Sequence, residues 1–338
     1  MRRKRILFVY TSFSSFVETD YKILSKFADV KQYKFASSKK IFKMIFEQVK
    51  LKIFLLINIW SCDIIYCWFA DYHSFLPILF SKLFKKKSML VLGGYDVTYI
   101  PELKYGSFST PLRSFCAKYS MKMATVNLSV SDYIQKEALK IDPNLNVELC
   151  YNGVDSHKFF PSSAKKENVV LTVGKIDTEQ RIKIKGINSF CEVASKLPEY
   201  KFVIVGMSDK AKNYLINIPE NLQIFQSIEH NELLQYYQKA KVYCQFSVIE
   251  SFCIALAEAM LCECVGIVTN VGALPEIVTD CGIVLENRNV NSAEMMIRKA
   301  MNLNSELGGK ASRKIKENYS FEKREARLIE LINAQLNN

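Results

Sequence analysis

Between two short apolar runs, Val242–Phe246 and Val265–Val268, the chain reads Glu250-Ser251-Phe252-Cys253-Ile254-Ala255-Leu256-Ala257-Glu258-Ala259-Met260. Residues 254–261 are mostly strong helix formers, whereas the two apolar runs have the length and composition of buried strands. The order of strand, loop, helix and strand is typical of a parallel sheet whose crossover connections are helices.

The same alternation fills the rest of the chain in two series. The first series has strands predicted at Ile6–Tyr10, Cys62–Trp68 and Ser88–Leu92 and a helix that begins with Tyr21–Phe27. The second adds strands at Val169–Val173 and Lys201–Val205 and helices at Ile187–Ser195 and Glu232–Lys239. Turn-forming residues at 151–155 and 161–163 separate the two series.

We therefore predict an α/β protein with two Rossmann-like, doubly wound parallel-sheet domains. The N-terminal domain should span residues 1–157 and the C-terminal domain residues 158–319. A helix over about 320–338 should pack back on the first domain. Because such sheets bind ligands at the carboxyl ends of their strands, we expect the two domains to face each other across a ligand-binding cleft.

The composition is that of a folded protein, with 49% apolar and 24% charged residues. No run of 18 uncharged apolar residues occurs, and the apolar run at Ile6–Tyr10 is too short for a signal peptide. The ten cysteines are scattered and mostly within apolar runs, which is typical of reduced, buried thiols in a cytoplasmic protein. Their spacing does not indicate a metal site.

Positive charge is concentrated in the first half of the chain. Residues 1–157 hold 23 Lys and Arg against 13 Asp and Glu, whereas the remaining residues hold 23 against 21. This asymmetry predicts that the first domain meets an anionic partner, for which nucleic acid and a membrane surface are the general candidates.

The start of the predicted helix near Ser251–Cys253 is a candidate anion site. Free backbone N–H groups and the positive end of the helix dipole suit a diphosphate. Glu258 would then lie where it can accept hydrogen bonds from ribose hydroxyls, and Glu250 would reach the sugar side. The alternative is that Glu250 caps the helix and Glu258 faces solvent.

Two further segments carry glycine with charge. Gly174-Lys175 ends a strand and Lys185-Gly186 opens the next helix, with Arg181 and Lys183 in the intervening loop. Lysines there would neutralise phosphate charge, although an ordinary basic surface loop has the same composition. Residues 271–278 form a Gly- and Pro-containing turn into a short helix with Glu276 in its first turn, and both structural and ligand-facing interpretations remain open.

In order and spacing these segments resemble glycosyltransferase family 4, the retaining group 1 glycosyltransferases with the GT-B fold. Residues 250–258 resemble its E-x7-E motif, residues 272–278 its Gly-Gly-Leu-Pro-Glu-Ile-Val segment, and residues 173–186 its Gly-Arg and Lys-Gly element. Residues 152–155 with 159–161 resemble its interdomain signature. The resemblance covers most of residues 120–300 and implies that the N-terminal domain binds the acceptor and the C-terminal domain the nucleotide sugar.

The resemblance implies a retaining, hexosyl-type transferase that moves sugar from a nucleoside-diphosphate sugar, with a UDP-sugar expected, to a glycan or lipid-linked acceptor of cell-surface polysaccharide or glycoconjugate synthesis. Lys175 and Lys185 would bind the diphosphate, Glu258 the ribose and Glu250 the donor sugar. The backbone amides of Phe252, Cys253 and Ile254 would face the phosphate or the sugar. The base of the nucleotide would lie near Ser227-Ile228. No cofactor or metal is expected, since the leaving phosphate can help to deprotonate the acceptor and lysines can stabilise its charge.

Four positions depart from the family pattern. Lys175 stands where arginine is usual, which keeps the charge and loses the bidentate fork. Cys253 replaces a glycine, and Ser14-Ser15 replaces a Gly-Gly pair, with Ser15 expected near the donor. Gly93 replaces a histidine, so we expect Asp96 to take over a catalytic role beside Glu250 and Lys185.

Residues 39–60 mix lysines with Ile, Phe, Leu and Trp; the lysines are Lys39, Lys40, Lys43, Lys50 and Lys52. As a helix, with the basic cluster Lys85-Lys86-Lys87, this segment would suit an anionic membrane surface. A core helix with snorkelling lysines is the alternative. We expect peripheral association with the inner face of the membrane.

Other functions explain parts of the pattern. A nucleotide-sugar epimerase or phosphorylase of the same fold would share the donor site, and a non-catalytic, degenerate transferase would account for Gly93 and Cys253. An oxidoreductase is disfavoured because no G-x-G-x-x-G follows Ile6–Tyr10. Nucleic acid is not expected as a partner, since no binding module for it is recognised.

Overall fold

A computed structural model describes residues 3–38, 40–303 and 306–337 of the chain. Lys39 of the predicted membrane helix lies outside the described residues, as do Met1, Arg2, Asn304, Ser305 and Asn338. The chain divides into two compact units, Met1–Gly153 with Arg324–Asn338 and Val154–Lys323. The first unit thus ends at Gly153 where we expected 157, and the C-terminal segment that belongs to it begins at Arg324 where we expected 320.

The first unit is built on a six-stranded parallel sheet in the order β2-β1-β3-β4-β5-β6, counted over the described residues. Its strands are β1 (Lys4–Tyr10), β2 (Ala28–Lys34), β3 (Ile64–Trp68), β4 (Lys87–Leu92), β5 (Val126–Ser129) and β6 (Val147–Leu149). All five residues of β3 are buried, as expected for a parallel strand covered on both faces.

Helices cover this sheet. They are α1 (Ser15–Phe27), α2 (Ile41–Asn58), α3 (Tyr72–Leu83), α4 (Pro111–Met123) and α5 (Asp132–Ile141), with short 3₁₀ helices at Ile59–Ser61, Pro101–Leu103 and Ser107–Ser109. The helix that we expected to begin with Tyr21–Phe27 instead begins at Ser15 and ends at Phe27, so its predicted start is wrong. Asp71 and Ser74 form a capping box that fixes the start of α3 just after β3.

The second unit has another six-stranded parallel sheet, in the order β12-β11-β10-β7-β8-β9 within the described ranges. Its strands are β7 (Glu167–Ile176), β8 (Lys201–Met207), β9 (Leu222–Phe225), β10 (Ala240–Gln245), β11 (Val265–Thr269) and β12 (Gly282–Leu285). Because β7 and β10 are adjacent and central, the loops that follow them meet at one edge of the sheet.

The helices of the second unit are α6 (Glu179–Lys185), α7 (Ile187–Lys196), α8 (Asp209–Lys212), α9 (Leu233–Lys239), α10 (Ile254–Leu261), α11 (Leu274–Val278), α12 (Val290–Met301) and α13 (Glu306–Asn318), with a 3₁₀ helix at Thr279–Cys281. The expected loop around Arg181 and Lys183 is therefore wrong, since these residues lie in α6. Thr178 caps this helix and Gly186, in the left-handed region, ends it.

The last helix, α14 (Phe321–Asn337), carries a buried arginine of the first unit. The Arg324 guanidinium binds both Asp20 oxygens, with N···O distances of 2.5 and 2.8 Å. It also donates to the Cys150 carbonyl oxygen, and Tyr66 and Trp68 donate to the same Asp20 carboxylate. These hydrogen bonds tie α14 to the sheet of the first unit.

All ten cysteines are buried free thiols. The described residues contain no group of three or more His, Cys, Asp or Glu side chains suited to hold a metal ion. Across the described part of the chain, every helix is either too short or too polar to cross a bilayer.

Candidate functional site

The loop after β10 turns sharply into α10 at Cys253. This residue is the N-cap of α10 and adopts the left-handed conformation, with φ 72° and ψ 76°. A side chain there costs about 1–2 kcal/mol, which explains why glycine suits the position. Burial raises the pKa of the Cys253 thiol well above its usual range, so the thiol stays protonated and is no nucleophile at neutral pH.

Glu250, in that loop, forms an ion pair with Lys185 from the end of α6. The Lys185 Nζ to Glu250 Oε1 distance is 2.5 Å. Gln245 Nε2 and Ser247 Oγ also donate to Oε1, at 3.1 and 2.9 Å. Among the described residues no donor reaches Oε2, which leaves this oxygen available to a ligand hydroxyl.

The Lys185 ammonium stays charged in this position. Burial by itself lowers the pKa of Lys185, but the attraction of the Glu250 carboxylate outweighs it and the pKa is raised. The pair lies partly open to solvent, with side-chain exposures of 18% for Lys185 and 10% for Glu250. An anionic ligand can therefore compete with Glu250 for a fully protonated lysine.

Close backbone approaches position the pair. Gly186 has φ 65°, and a Cβ atom there would lie 1.9 Å from the Phe246 carbonyl oxygen. The Val248 N–H donates to the Ile184 carbonyl oxygen at 2.8 Å. The turn after α6 is thus fastened to the loop after β10, and only glycine fits at its corner.

A second glycine turn holds Glu250 from the other side. Gly272 has φ 56°, and a Cβ atom there would lie 2.0 Å from the Glu250 carbonyl oxygen, which accepts a hydrogen bond from the Ala273 N–H at 3.0 Å. Of the two interpretations of residues 271–278, this geometry favours the structural one for Gly272. Glu276 lies in the first turn of α11, and its carbonyl oxygen accepts from Tyr319 Oη.

Glu258 points into the unit and its two oxygens are both engaged. His230 Nε2 lies 2.6 Å from Oε1 and the Tyr237 hydroxyl donates to Oε2 at 3.0 Å. Lys158 Nζ, which can only donate, lies 2.9 Å from His230 Nδ1, so Nε2 carries the proton that Glu258 accepts. The alternative that Glu258 faces solvent is wrong, because Glu258 is only 3% exposed. Nor does Glu250 cap α10, whose N-cap is Cys253.

Lys175 does not join this cluster. Along β7, Gly174 faces Lys185, since a Cβ atom on Gly174 would lie 3.7 Å from Lys185 Cε. The next residue, Lys175, lies where the pairing of β7 with β8 becomes irregular, and its side chain is 83% exposed beside Asp177. The structure therefore separates the two lysines that we expected to share the diphosphate.

The remaining donor-site predictions lie near the carboxyl ends of strands. Ser227 and Ile228 follow β9, and Ser227 is exposed. Phe252 is buried and Ile254 begins α10. Ser15 begins α1 in the first unit, after the carboxyl end of β1. Their roles stay predictions.

Asp96 occupies a closed position in the first unit. Its carboxylate is fully buried and accepts the backbone N–H groups of Ala70, Gly93 and Gly94 at 2.8 to 3.3 Å. Burial raises its pKa from 3.8 to about 6, against the lowering effect of these hydrogen bonds. This geometry makes Asp96 the clamp of the loop after β4, and its catalytic role stays a prediction.

The place of the absent histidine is filled by another residue. A Cβ atom on Gly93 would lie 2.2 Å from Phe69 Cε1. Phe69 itself has φ 70°, an unusual conformation for a bulky residue. A side chain at position 93 would displace this ring.

Four contributors to the site escaped prediction, namely His230, Tyr237, Gln245 and Ser247. Gln245 is the last residue of β10 and Ser247 lies two residues beyond it, and their polarity next to an apolar strand is the available signal. The approach of residue 230 to Glu258 depends on the packing of α9 against α10, which no local pattern reveals.

Comparison with known proteins places this site in a family context. Residues 154–320, almost the whole second unit, match the model of the family described as glycosyl transferases group 1. Over 225 residues the chain is 22% identical to a component of the phosphatidylinositol N-acetylglucosaminyltransferase of Arabidopsis thaliana, an alignment that covers 62% of the chain and 49% of that relative. The chain thus spans about half the length of this curated relative.

Solved structures show the fold. A sucrose-phosphate synthase from Thermosynechococcus elongatus superposes with a TM-score of 0.82 at 14% identity, over 98% of this chain and 99% of that one. Anabaena HepE in complex with UDP-glucose superposes with a TM-score of 0.76 at 12% identity, over 98% and 99%. The predicted fold class is confirmed: the chain has the GT-B fold, with two Rossmann-like α/β units.

Proposed function

We propose that this protein is a glycosyltransferase that takes its sugar from a nucleoside-diphosphate sugar, with a UDP-sugar as donor. The observation that carries the proposal is the pair Lys185–Glu250, which lies at the carboxyl ends of β7 and β10 beside the start of α10. The family match of the second unit and the UDP-glucose bound by a protein of the same fold support it.

The pair is suited to a ligand with both a diphosphate and hydroxyl groups. The diphosphate would take Lys185 from Glu250 and meet the N–H groups of Cys253 and Ile254 at the helix start. Glu250, released from the lysine, would accept hydroxyl groups of the sugar through Oε2. Glu258 would accept the ribose hydroxyls once His230 moves aside.

Retention of configuration rests on the resemblance of residues 250–258 to the motif of glycosyltransferase family 4. In this mechanism the C–O bond between the sugar and the diphosphate breaks as the acceptor hydroxyl attacks on the same face. The leaving phosphate receives the acceptor proton, and Lys185 with the helix start stabilises the charge that develops on it. These groups supply the stabilisation that a metal ion would otherwise give.

A membrane surface at the inner leaflet is our proposal for where the acceptor is met. One side of α2 and the following turn exposes an apolar stripe, hereafter the α2 stripe, formed by Phe42, Phe46, Ile53, Leu56, Ile57 and Trp60. Within α2, the stripe covers an arc of about 100° and is bordered by exposed lysines, Lys43 and Lys50 on one side and Lys52 on the other. The exposure of this stripe disfavours the core-helix alternative.

Thermal shift with a panel of UDP-, GDP-, ADP- and CMP-linked sugars tests the donor proposal. A ligand that binds the folded form raises the melting temperature, so one nucleotide class should do so selectively. Donor consumption that requires an added acceptor would separate transfer from epimerisation or phosphorolysis. If no nucleotide sugar shifts the melting temperature at millimolar concentration, the proposal is wrong.

Co-sedimentation with vesicles tests the membrane proposal. We expect the protein to pellet with anionic vesicles and to stay in solution with neutral ones, and Phe42→Ser with Phe46→Ser to abolish the difference. Equal absence from both pellets would contradict peripheral association.

A further inference from the structure

The first unit contains a pocket of about 780 Å³ that the proposed chemistry does not use, hereafter the first-unit pocket. It lies between the N-terminal parts of α2, α3 and α4, and residues just after β2 also line it. In a doubly wound sheet this is the carboxyl edge of the strands, where substrates bind. The pocket is therefore at the edge that an acceptor would approach.

Most of the lining is apolar. The apolar residues include Phe35, Ile41, Met44, Ile45, Leu76 and Leu112. Ile41, Ile45 and Leu112 are each more than half exposed, so their burial by a ligand is favourable at about 25 cal/mol per Å². The volume is that of pockets that enclose small ligands. The occupant needs an apolar portion of matching size.

Polar groups at the pocket fit the other end of such a ligand. Gln48 donates through Nε2 to the Tyr72 carbonyl oxygen at 2.9 Å, while its buried Oε1 has no partner among the described residues. Arg113, held by Asp71 and Tyr95, and the exposed Lys52 add two cations. A hydroxyl group on the ligand would satisfy Gln48, and a phosphate would suit Lys52 and Arg113.

The α2 stripe connects this pocket to a source of such ligands. Ile45 and Lys52 lie on the side of α2 that lines the pocket, next to the stripe on the same helix. The basic first half of the chain complements an anionic bilayer. A lipid leaving that bilayer would enter the pocket without its chain crossing water.

We propose that the first-unit pocket binds the hydrocarbon chain of a phosphate-bearing lipid acceptor, an inference that rests on the proposed transferase function for the acceptor role. The lipid chain fills the apolar lining, and the phosphate lies by Lys52 and Arg113. Between a glycan and a lipid-linked acceptor, the pocket thus selects the lipid.

Titration with dodecyl phosphate, kept below its micelle-forming concentration, tests the pocket. Inorganic phosphate carries the charge without the chain, and dodecyl maltoside carries the chain without the charge. The matched variants are Ile45→Glu, in the pocket, and Ile53→Glu, on the α2 stripe, because both isoleucines lie on α2 and are about half exposed. The same variants are titrated with UDP.

We expect the wild type to bind dodecyl phosphate saturably. The affinity for dodecyl phosphate should fall about tenfold or more in Ile45→Glu, because a carboxylate enters the apolar lining. In Ile53→Glu the affinity should stay within about twofold of the wild type. Inorganic phosphate should bind far more weakly. Equal loss in both variants, or no saturable binding, would overturn the proposal. UDP binding should be unchanged in both variants. If the wild type does not bind UDP, this result would contradict the transferase function. Saturable binding of dodecyl phosphate that depends on Ile45 would still support the lipid site.

Discussion

The two units each contain a short ion pair, and the two pairs differ in what surrounds them. In the first unit, Arg324 and Asp20 are 1% and 0% exposed, and hydrogen bonds from Tyr66 and Trp68 complete the coordination of the carboxylate. In the second unit, Lys185 and Glu250 lie partly open at the carboxyl edge of the sheet, and one oxygen of Glu250 receives no donor from the described residues.

This difference distinguishes a structural ion pair from a candidate binding site. A sealed pair with every polar atom satisfied has nothing to offer a ligand, and its disruption leaves a charge without water. An open pair with spare acceptor capacity can exchange one partner for another. Burial and hydrogen-bond saturation, rather than the short distance that both pairs share, therefore indicate which pair has a function.

The largest effect is expected for Arg324→Met. The variant leaves Asp20 buried without its partner, so the first unit should lose about 3–5 kcal/mol of its free energy of unfolding. Both tryptophans, Trp60 and Trp68, lie in this unit, so tryptophan fluorescence during urea unfolding reports on it. Lys323→Met, at the exposed neighbouring position, is the control and should change stability little. A loss below about 1 kcal/mol in Arg324→Met would show that the pair is not a structural anchor.

The free energy of unfolding should depend on pH through Asp96, a third buried ionisable residue. Its folded pKa of about 6 lies above the ordinary 3.8, so its protonated form stabilises the fold. That contribution is present below pH 4, falls as the pH rises towards 6 and is absent above, a change of about 3 kcal/mol. Asp96→Asn should lack this decrease, which urea unfolding of both proteins at pH 4, 5, 6 and 7 would measure. Parallel pH profiles would contradict the raised pKa.

For the open pair, Glu250→Ala should reduce kcat by about 100-fold, because an acceptor for the donor sugar is lost. Stability should change by less than about 1 kcal/mol, since the partner lysine can reach solvent. Steady-state kinetics with the donor identified by the panel, together with thermal unfolding, measure both quantities. If Glu250→Ala is strongly destabilised but the folded molecules keep their kcat, the Lys185–Glu250 pair would be structural, like the Arg324–Asp20 pair.

The smallest effect concerns nucleotide discrimination by Glu258. If its carboxylate binds ribose, wild-type protein should prefer UDP to deoxy-UDP analogues, and Glu258→Gln should weaken UDP binding about tenfold and reduce that preference. Tyr237→Phe removes another partner of Glu258 without removing the carboxylate, so it should keep the preference. Calorimetric titration of each variant with UDP and with the deoxy-UDP analogues measures this preference. If Glu258→Gln prefers UDP as strongly as the wild type does, contact between Glu258 and the ribose would be excluded.

Local patterns in the sequence were sufficient for the fold. Apolar runs with the length of strands, alternating with helix-forming segments, predicted two parallel sheets, and residues 250–258 predicted a loop followed by a helix. The helix α6 was missed although its signals were present, namely Thr178 as N-cap and Gly186 as C-cap. The basic residues of that segment do not distinguish a loop from a helix, because basic residues are common in both kinds of structure.

The site was only partly predictable, because side-chain direction depends on strand register. Lys175 and Lys185 both lie near the same strand end, but the irregular end of β7 leaves Gly174 facing Lys185 and the Lys175 side chain exposed to solvent. The prediction for Asp96 depends on its proximity to Gly93 in sequence, whereas the hydrogen bond that it accepts from the Ala70 N–H requires the adjacency of β3 and β4. Contacts that arise from the order of strands in a sheet leave no trace in local composition.

Calorimetric titration with UDP tests whether Lys185 binds the diphosphate of the donor. Lys175→Ala is the matched control, since Lys175 lies near the same end of β7 as Lys185 and its side chain is exposed. In Lys185→Ala, Glu250 keeps Gln245 and Ser247 as donors, so the variant should fold with unchanged circular dichroism. We expect UDP affinity to fall about tenfold or more in Lys185→Ala and to stay within about twofold in Lys175→Ala. Wild-type affinity in folded Lys185→Ala would contradict this role.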